Sequence, residues 1–344
     1  MERDGAPPPV EHTPLWARAL EPLGRLYLRG SALLLERRRR NAVRLPLPVV
    51  SVGNLTFGGT GKTPVTLALA RILQQRGERP GVLLRGYGRR GREVRAVRPG
   101  HGARAVGDEA LLYALEGLPV AVGADRGAGA RLLLREGVTV LLLDDGFQHV
   151  ETARDLDLLL VDGSRPQDLL PPPAGRLREP LAGAVRADAV LLTGGEDLPV
   201  ALLSQASGKP FLRVRFRWAE EPPLSVPPGL SWRALAGRPL AAFAGVGNPS
   251  RFLADLEKAG LFPLRFLAFP DHAYPSPSRR RALRKAITAS QAEAVLTTEK
   301  DAVKWAPSWP FEVPLVWPRL EAVFEDPQRL LPRLLEEILP RGRR

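Results

Sequence analysis

The chain has 344 residues, enough for two domains that each bury a core of their own, and it contains no cysteine. Disulfides, thiolate metal sites and cysteine nucleophiles are thereby excluded, and with no hydrophobic signal peptide the cytoplasm is the expected compartment. The formal charge is +13, with six of the fifty basic residues lysine and the rest arginine. That balance favours anionic partners such as nucleotides, phosphates or acidic lipid surfaces without choosing among them. No uncharged apolar run approaches the roughly 18 to 20 residues that cross a bilayer, so no spanning segment is expected.

The first dozen residues, with Pro7, Pro8 and Pro9, read as an irregular lead. Next, Trp16, Leu20, Leu23, Tyr27 and Leu34 recur at helical spacing on one side, with Arg18, Arg25, Arg29 and Glu36 on the other. This predicts an amphipathic helix that Pro22 either breaks or starts. It ends in Arg37, Arg38, Arg39 and Arg40, a cluster suited to anionic headgroups or to an ordinary solvated helix end.

From Pro48 onward, short apolar runs alternate with helical stretches. Pro48–Val52, Val82–Leu84, Pro119–Val122, Val138–Leu143, Leu156–Val161 and Ala189–Leu192 read as buried strands. This is the pattern of an α/β protein with a doubly wound, mostly parallel sheet, in which ligands bind beyond the carboxyl ends of the strands. The Pro-rich stretch 209–239 reads as a linker holding one alternating strand, Phe211–Phe216. A second, smaller α/β set follows, with strands at Leu240–Ala244, Leu264–Ala268 and Ala294–Thr297 and helices from Pro249 and Ser278. The expected organisation is therefore an N-terminal amphipathic helix in 1–45, a catalytic domain in 46–208, a linker in 209–239 and a smaller domain in 240–344.

Gly58-Gly59-Thr60-Gly61-Lys62-Thr63 stands between the first strand and a helix expected over Pro64–Gln75. Glycines there let backbone N–H groups curl around phosphates, the helix N-terminus adds positive potential, Lys62 reaches the γ-phosphate and the Thr63 hydroxyl ligates magnesium. Thr56 replaces the usual first glycine of this P-loop. Asp144 and Asp145 close an apolar strand, where paired acids hold a magnesium ion or serve as turn residues. Asp108 and Glu109 open a helical stretch after Gly107, which suits helix capping and equally a carboxylate that accepts a hydroxyl proton. Arg85-Gly86-Tyr87-Gly88 is either a phosphate or sugar contact or a basic turn. His149 and His272 each read as structural or functional, and four histidines in all offer no zinc-like pair.

These motifs together, with Val52-Gly53-Asn54-Leu55-Thr56, Asp144-Asp145-Gly146-Phe147-Gln148-His149, Leu177-Arg178-Glu179-Pro180-Leu181, Phe269-Pro270-Asp271-His272 and Thr297-Thr298-Glu299-Lys300-Asp301, closely resemble the tetraacyldisaccharide 4'-kinase family of lipid A biosynthesis. They extend over most of the chain, and the family shares the Thr56 departure. The chain departs at Ala110, where proline is expected, and at Leu84, where serine is common. The resemblance implies a P-loop fold and transfer of the ATP γ-phosphate to the 4'-hydroxyl of a tetraacyldisaccharide 1-phosphate. It implies ATP and magnesium as cofactors, with Asp108 as general base, His272 as its partner, and Lys62 beside them in catalysis. Thr56, Gly58, Gly59, Thr60, Gly61, Lys62 and Thr63 would hold the nucleotide. Thr63, Glu109, Asp144 and Asp145 would surround the metal, and Arg85, Tyr87 and Arg178 would meet substrate. The implied setting is a monomer, peripheral on the cytoplasmic face of the inner membrane, with an acylated disaccharide lipid as partner and no nucleic acid. A nucleotide-dependent switch or partitioning ATPase is the alternative reading of the P-loop. Such loops usually begin with lysine, where this chain has Phe57.

Overall fold

Fourteen strands carry the fold in a computed structural model that describes residues 20–86, 89, 91–219, 224–326 and 329–339. They are β1 (Val49–Asn54), β2 (Pro80–Leu84), β3 (Arg95–Val97), β4 (Val120–Val122), β5 (Val140–Asp144), β6 (Leu156–Asp162) and β7 (Ala189–Thr193). The later ones are β8 (Phe211–Trp218), β9 (Ser225–Val226), β10 (Leu240–Ala244), β11 (Arg265–Ala268), β12 (Ala294–Leu296), β13 (Leu315–Val316) and β14 (Leu320–Glu325).

Nine strands form one sheet in the order β14-β8-β7-β6-β1-β5-β2-β4-β3. Pairings are parallel except at its two edges, β14 on β8 and β3 on β4. The central strands are apolar on both faces because helices cover both. Val50, Val52, Val140 and Leu142 point to the face that receives Leu69 and Leu73 of helix Lys62–Gln75. Their neighbours Val49, Leu141 and Leu143 point the other way, against Leu133 of helix Arg126–Arg135. This is the doubly wound α/β sheet expected from the sequence. A second sheet, β11-β10-β12-β13-β9, is parallel but for the β13–β9 pair.

The 209–239 stretch differs from its expectation as a linker. Strand β8, inside it, is the eighth strand of the large sheet, and β14, from the segment expected in the small domain, pairs with β8 from Leu320↔Trp218 to Glu325↔Arg213. Helix Leu330–Ile338 then lays Leu331 and Leu335 into the large core. The chain thus leaves the first sheet, builds the second, and returns. A parallel sheet needs its apolar edge strand covered, and the covering strand comes from the far end of the sequence.

Before β1 lies helix Glu21–Arg39, with Pro22 in its first turn, where the missing N–H costs nothing. Pro22 therefore starts this helix rather than breaking it. Leu23, Leu26, Leu33 and Leu34 remain exposed, while Leu35 is buried. Trp16 and Arg18 lie outside the described residues.

Candidate active site at the carboxyl edge of the large sheet

β1 and β5 run parallel as neighbours, with Val52 opposite Asp144. The loop that follows β1 and the carboxylates that close β5 therefore emerge side by side. Gly58 and Gly61 take φ of +110° and +88°, a region that side chains with a Cβ avoid. At Gly61, the residue before helix Lys62–Gln75, a Cβ would also run into the Phe216 ring. Lys62 folds back over the loop and donates to Asn54 Oδ1 at 3.1 Å and to Gly58 O at 3.5 Å, with Asp145 Oδ1 at 3.3 Å. Thr56 Oγ1 accepts from Asn54 Nδ2. Thr60 is buried, and its hydroxyl has no hydrogen-bond partner among the described residues.

Asp144 is buried. Its Oδ2 accepts from Tyr113 Oη at 2.7 Å and from Thr63 Oγ1 at 3.2 Å, whereas Oδ1 is buried with no hydrogen-bond partner among the described residues. Burial, with the charge of Glu109 added, pushes this carboxyl up to about 7. A carboxylate in that state is short of a cation, and the oxygens of Asp144 and Thr63 fit a magnesium ion that keeps most of its ligands as water and phosphate. Asp145, at φ +55°, faces outward, where Arg178 Nη1 donates to both its oxygens at 2.9 Å. Burial works against the ionised form, but Lys62 and Arg178 outweigh it and hold the Asp145 carboxyl below its ordinary value.

The second sheet contributes the opposite wall. Gly107, at φ +95°, turns the chain into helix Asp108–Leu115. Asp108 accepts from the Glu109 N–H and faces His272, whose Nδ1 lies 3.0 Å and 3.2 Å from its two oxygens. Burial raises the Asp108 carboxyl, but the hydrogen bond from His272 and the charges of Lys300, His272 and Lys304 prevail, holding it well below the usual carboxylate range. The same hydrogen bond raises His272. Lys300 Nζ donates to Glu109 Oε1 at 3.1 Å and lies 3.5 Å from His272 Nε2.

The structure thus brings together Thr56, Gly58 to Thr63, Asp108, Glu109, Asp144, Asp145, Arg178 and His272 around one cleft. Arg85 is exposed at the end of β2, where its charge helps lower His149 and Arg126. Tyr87 lies outside the described residues. Sequence reasoning passed over Tyr113, Asn54, Gln148 and Lys300. Gln148 Nε2 joins Asn54 O to Glu179 Oε1, buttressing the loop from below. Asn54, Gln148 and Lys300 stood in the quoted motifs without a role of their own, and the signal for Tyr113 was a lone hydroxyl in the apolar run Ala110–Leu115.

The comparisons with known proteins concern the chain as a whole. The family model described as "Tetraacyldisaccharide-1-P 4'-kinase" matches residues 16–339. A tetraacyldisaccharide 4'-kinase of Gluconacetobacter diazotrophicus is 42% identical over 297 residues, covering 85% of each chain. That of Syntrophus aciditrophicus is 37% identical over 364 aligned positions, covering 98% of this chain and 96% of its own. Among solved structures, LpxK from Aquifex aeolicus in complex with ATP superposes with a TM-score of 0.74 at 29% identity, covering 94% of this chain and 99% of that one. The likenesses favour a kinase over a switch ATPase. With a family-model match over residues 16–339 and relatives about 40% identical over most of its length, the chain belongs to the tetraacyldisaccharide 4'-kinase family.

Proposed function

We propose that this chain transfers the γ-phosphoryl group of ATP to the 4'-hydroxyl of a tetraacyldisaccharide 1-phosphate, with the residues of the cleft in the following roles. The loop from Gly58 to Thr63 and the N-terminus of helix Lys62–Gln75 hold the phosphates, with Lys62 moving its charge from Asn54 and Asp145 onto them. Thr63 and Asp144, with Glu109 and Asp145 nearby, would hold magnesium, which supplies charge neutralisation on the transferred group. Asp108 accepts the hydrogen bond of the attacking hydroxyl and orients it. A carboxylate held low is a weak base, but phosphoryl transfer through a loose transition state releases the proton late and asks little basicity. His272 holds Asp108 in place, and Arg178 is a substrate contact.

The observation that supports this reading is that one helix of the large sheet carries both Asp108, which meets His272 of the second sheet, and Tyr113, which bonds the Asp144 that Thr63 of the P-loop also bonds. Labelled γ-phosphate should pass from ATP to the disaccharide acceptor in detergent micelles. Lys62→Ala and Asp108→Ala should each lower turnover by about 10²–10⁴-fold. An Asp108→Ala protein with near-normal turnover would remove the base assignment.

The acceptor carries acyl chains, and the chain has a surface suited to them. No described helix is long and apolar enough to cross a membrane. Helix Glu21–Arg39 exposes Leu23, Leu26 and Leu33, ends in Arg37 to Arg40, and touches the site: Ser31 Oγ donates to Arg178 O at 2.7 Å. Insertion of these leucines at the inner surface of the cytoplasmic membrane would place the acceptor beside Arg178. Flotation with vesicles containing anionic lipid should retain the wild type and lose a Leu23→Glu, Leu26→Glu, Leu33→Glu triple variant. Equal retention of both would count against membrane docking by this helix.

A further inference from the structure

Asp108 is held from two sides. His272 approaches it from the cleft, and on the inner side lies Lys304, whose side chain is 0% exposed. Its ammonium is 3.5 Å from Asp108 Oδ2 and 3.0 Å from Asp301 Oδ1. Neither contact is an aligned hydrogen bond, so both act through charge. Asp301 itself is fixed, because its Oδ2 accepts the Gly245 N–H at 2.8 Å and the Thr298 hydroxyl at 2.7 Å. The Tyr274 ring, 5.9 Å from the ammonium, covers another side.

The placement matters because these groups bridge two sheets. Lys304 and Asp301 belong to helix Glu299–Trp305, which packs on helix Asp108–Leu115 of the large sheet. The loop that donates from Gly245 continues to Gly247, where a Cβ would stand 3.5 Å from the Gly59 nitrogen of the P-loop. A chain of polar contacts therefore runs from Gly245, two residues before the glycine that approaches the P-loop, through Asp301 and Lys304 to the Asp108 carboxylate.

We propose that Lys304, braced by Asp301, is a positioning residue that keeps the Asp108 carboxylate turned toward the acceptor hydroxyl. The proposal rests on the reading of Asp108 as the group that receives that hydroxyl. The competing role is that of a docking ion pair between helices. A pair kept only for docking can be replaced by uncharged side chains of similar volume with little loss of stability, and no step of the reaction should notice.

That difference sets the test. Lys304→Met alone strands the Asp301 charge in an apolar interior and so probes folding as much as function. The paired variant Lys304→Met, Asp301→Asn removes both charges, and asparagine keeps an acceptor for Gly245 and Thr298. The expected result is a thermal midpoint near that of the wild type with kcat lower by about 10–100-fold, as for a small misalignment of a reacting group. KM for ATP and for the lipid acceptor should stay within about twofold. Introduced into Asp108→Asn, the pair should cause no further loss, since Lys304 works through that carboxylate. Near-normal kcat in the paired variant, beside an inactive Asp108→Asn, overturns the proposal and leaves the base assignment standing. Losses that multiply with those of Asp108→Asn, a dominant rise in KM, or failure of the paired variant to fold would also overturn it. A fully active Asp108→Asn would instead sink the base assignment, and the positioning role with it.

Discussion

The acids of this site differ in state because their neighbours differ. Asp144 and Asp145 are adjacent in the chain, yet burial and Glu109 push Asp144 up to about 7 while Lys62 and Arg178 draw Asp145 down. His149, next in the same run but one wall away, is lowered from 6.5 to about 4 by burial and by Arg126, Arg154 and Arg85. Its nearest acid, Glu151 at 3.8 Å, is too far to offset them. At His149 the folded state thus binds fewer protons than the unfolded state between about pH 4 and 6.5, so the contribution of this one group to stability rises with pH across that window, opposite in sign to that of Asp144. Acidification from pH 7 to 4.5 should therefore cost the wild type more than His149→Gln, by up to about 3 kcal/mol. Urea midpoints of the two proteins at both pH values measure it, and parallel losses would show that His149 stays uncharged in neither state.

At the scale of elements, the P-loop depends on β8, a strand that is remote in sequence. The tip of the Phe216 ring from that strand lies against Gly61, and the Arg251 guanidinium stacks 5.2 Å from the ring centroid. Two separate causes therefore require glycine at 61: the +88° φ and the aromatic ring. Gly61→Ala is expected to cost about 1–3 kcal/mol and to weaken nucleotide binding. Adding Phe216→Ala should remove the clash but not the backbone strain, so stability should recover only in part. Thermal midpoints with and without ATP would reveal this, and full recovery would show that the backbone at 61 tolerates a Cβ. Helix Asp108–Leu115 is likewise shared, since Asp108 at its start meets the second sheet while Tyr113, farther along, supports Asp144.

At the scale of the molecule, the second sheet is an insertion into the edge of the first. Strand β14 and helix Leu330–Ile338 complete the large core from the carboxyl end, with Leu331 and Leu335 buried. Each such leucine contributes about 1.5–3 kcal/mol, and the six-residue ladder protects the β8 edge, against a total stability of about 5–15 kcal/mol. A chain ended after Trp317 should consequently fail to form a protease-resistant catalytic core. Limited proteolysis and circular dichroism would test this, and a folded, nucleotide-binding product would show that the return strand is dispensable. The same insertion places His272 and the helix with Lys300 and Lys304 across the cleft from the P-loop, so the site is closed by a wall that the P-loop sheet does not itself supply.

Local chemistry made much of this readable from the chain alone. Runs such as Val138–Leu143 and Leu156–Val161 are buried strands because they are almost wholly apolar, the one acid among them, Asp157, being paired with Arg154, and Gly-Lys-Thr between such a strand and a helix reads as a phosphate loop. Family motifs added the expected partners of Asp108. Other features were decided by tertiary structure. The alternation at Phe211–Phe216 said strand but not its place in a sheet, because one of its two pairing partners, β14, lies about a hundred residues on. Nothing near Asp108 announces His272, 164 residues away, or the buried ammonium of Lys304. Contacts of that range form only where two packed sheets hold the groups together at a cost in chain entropy that local sequence does not record.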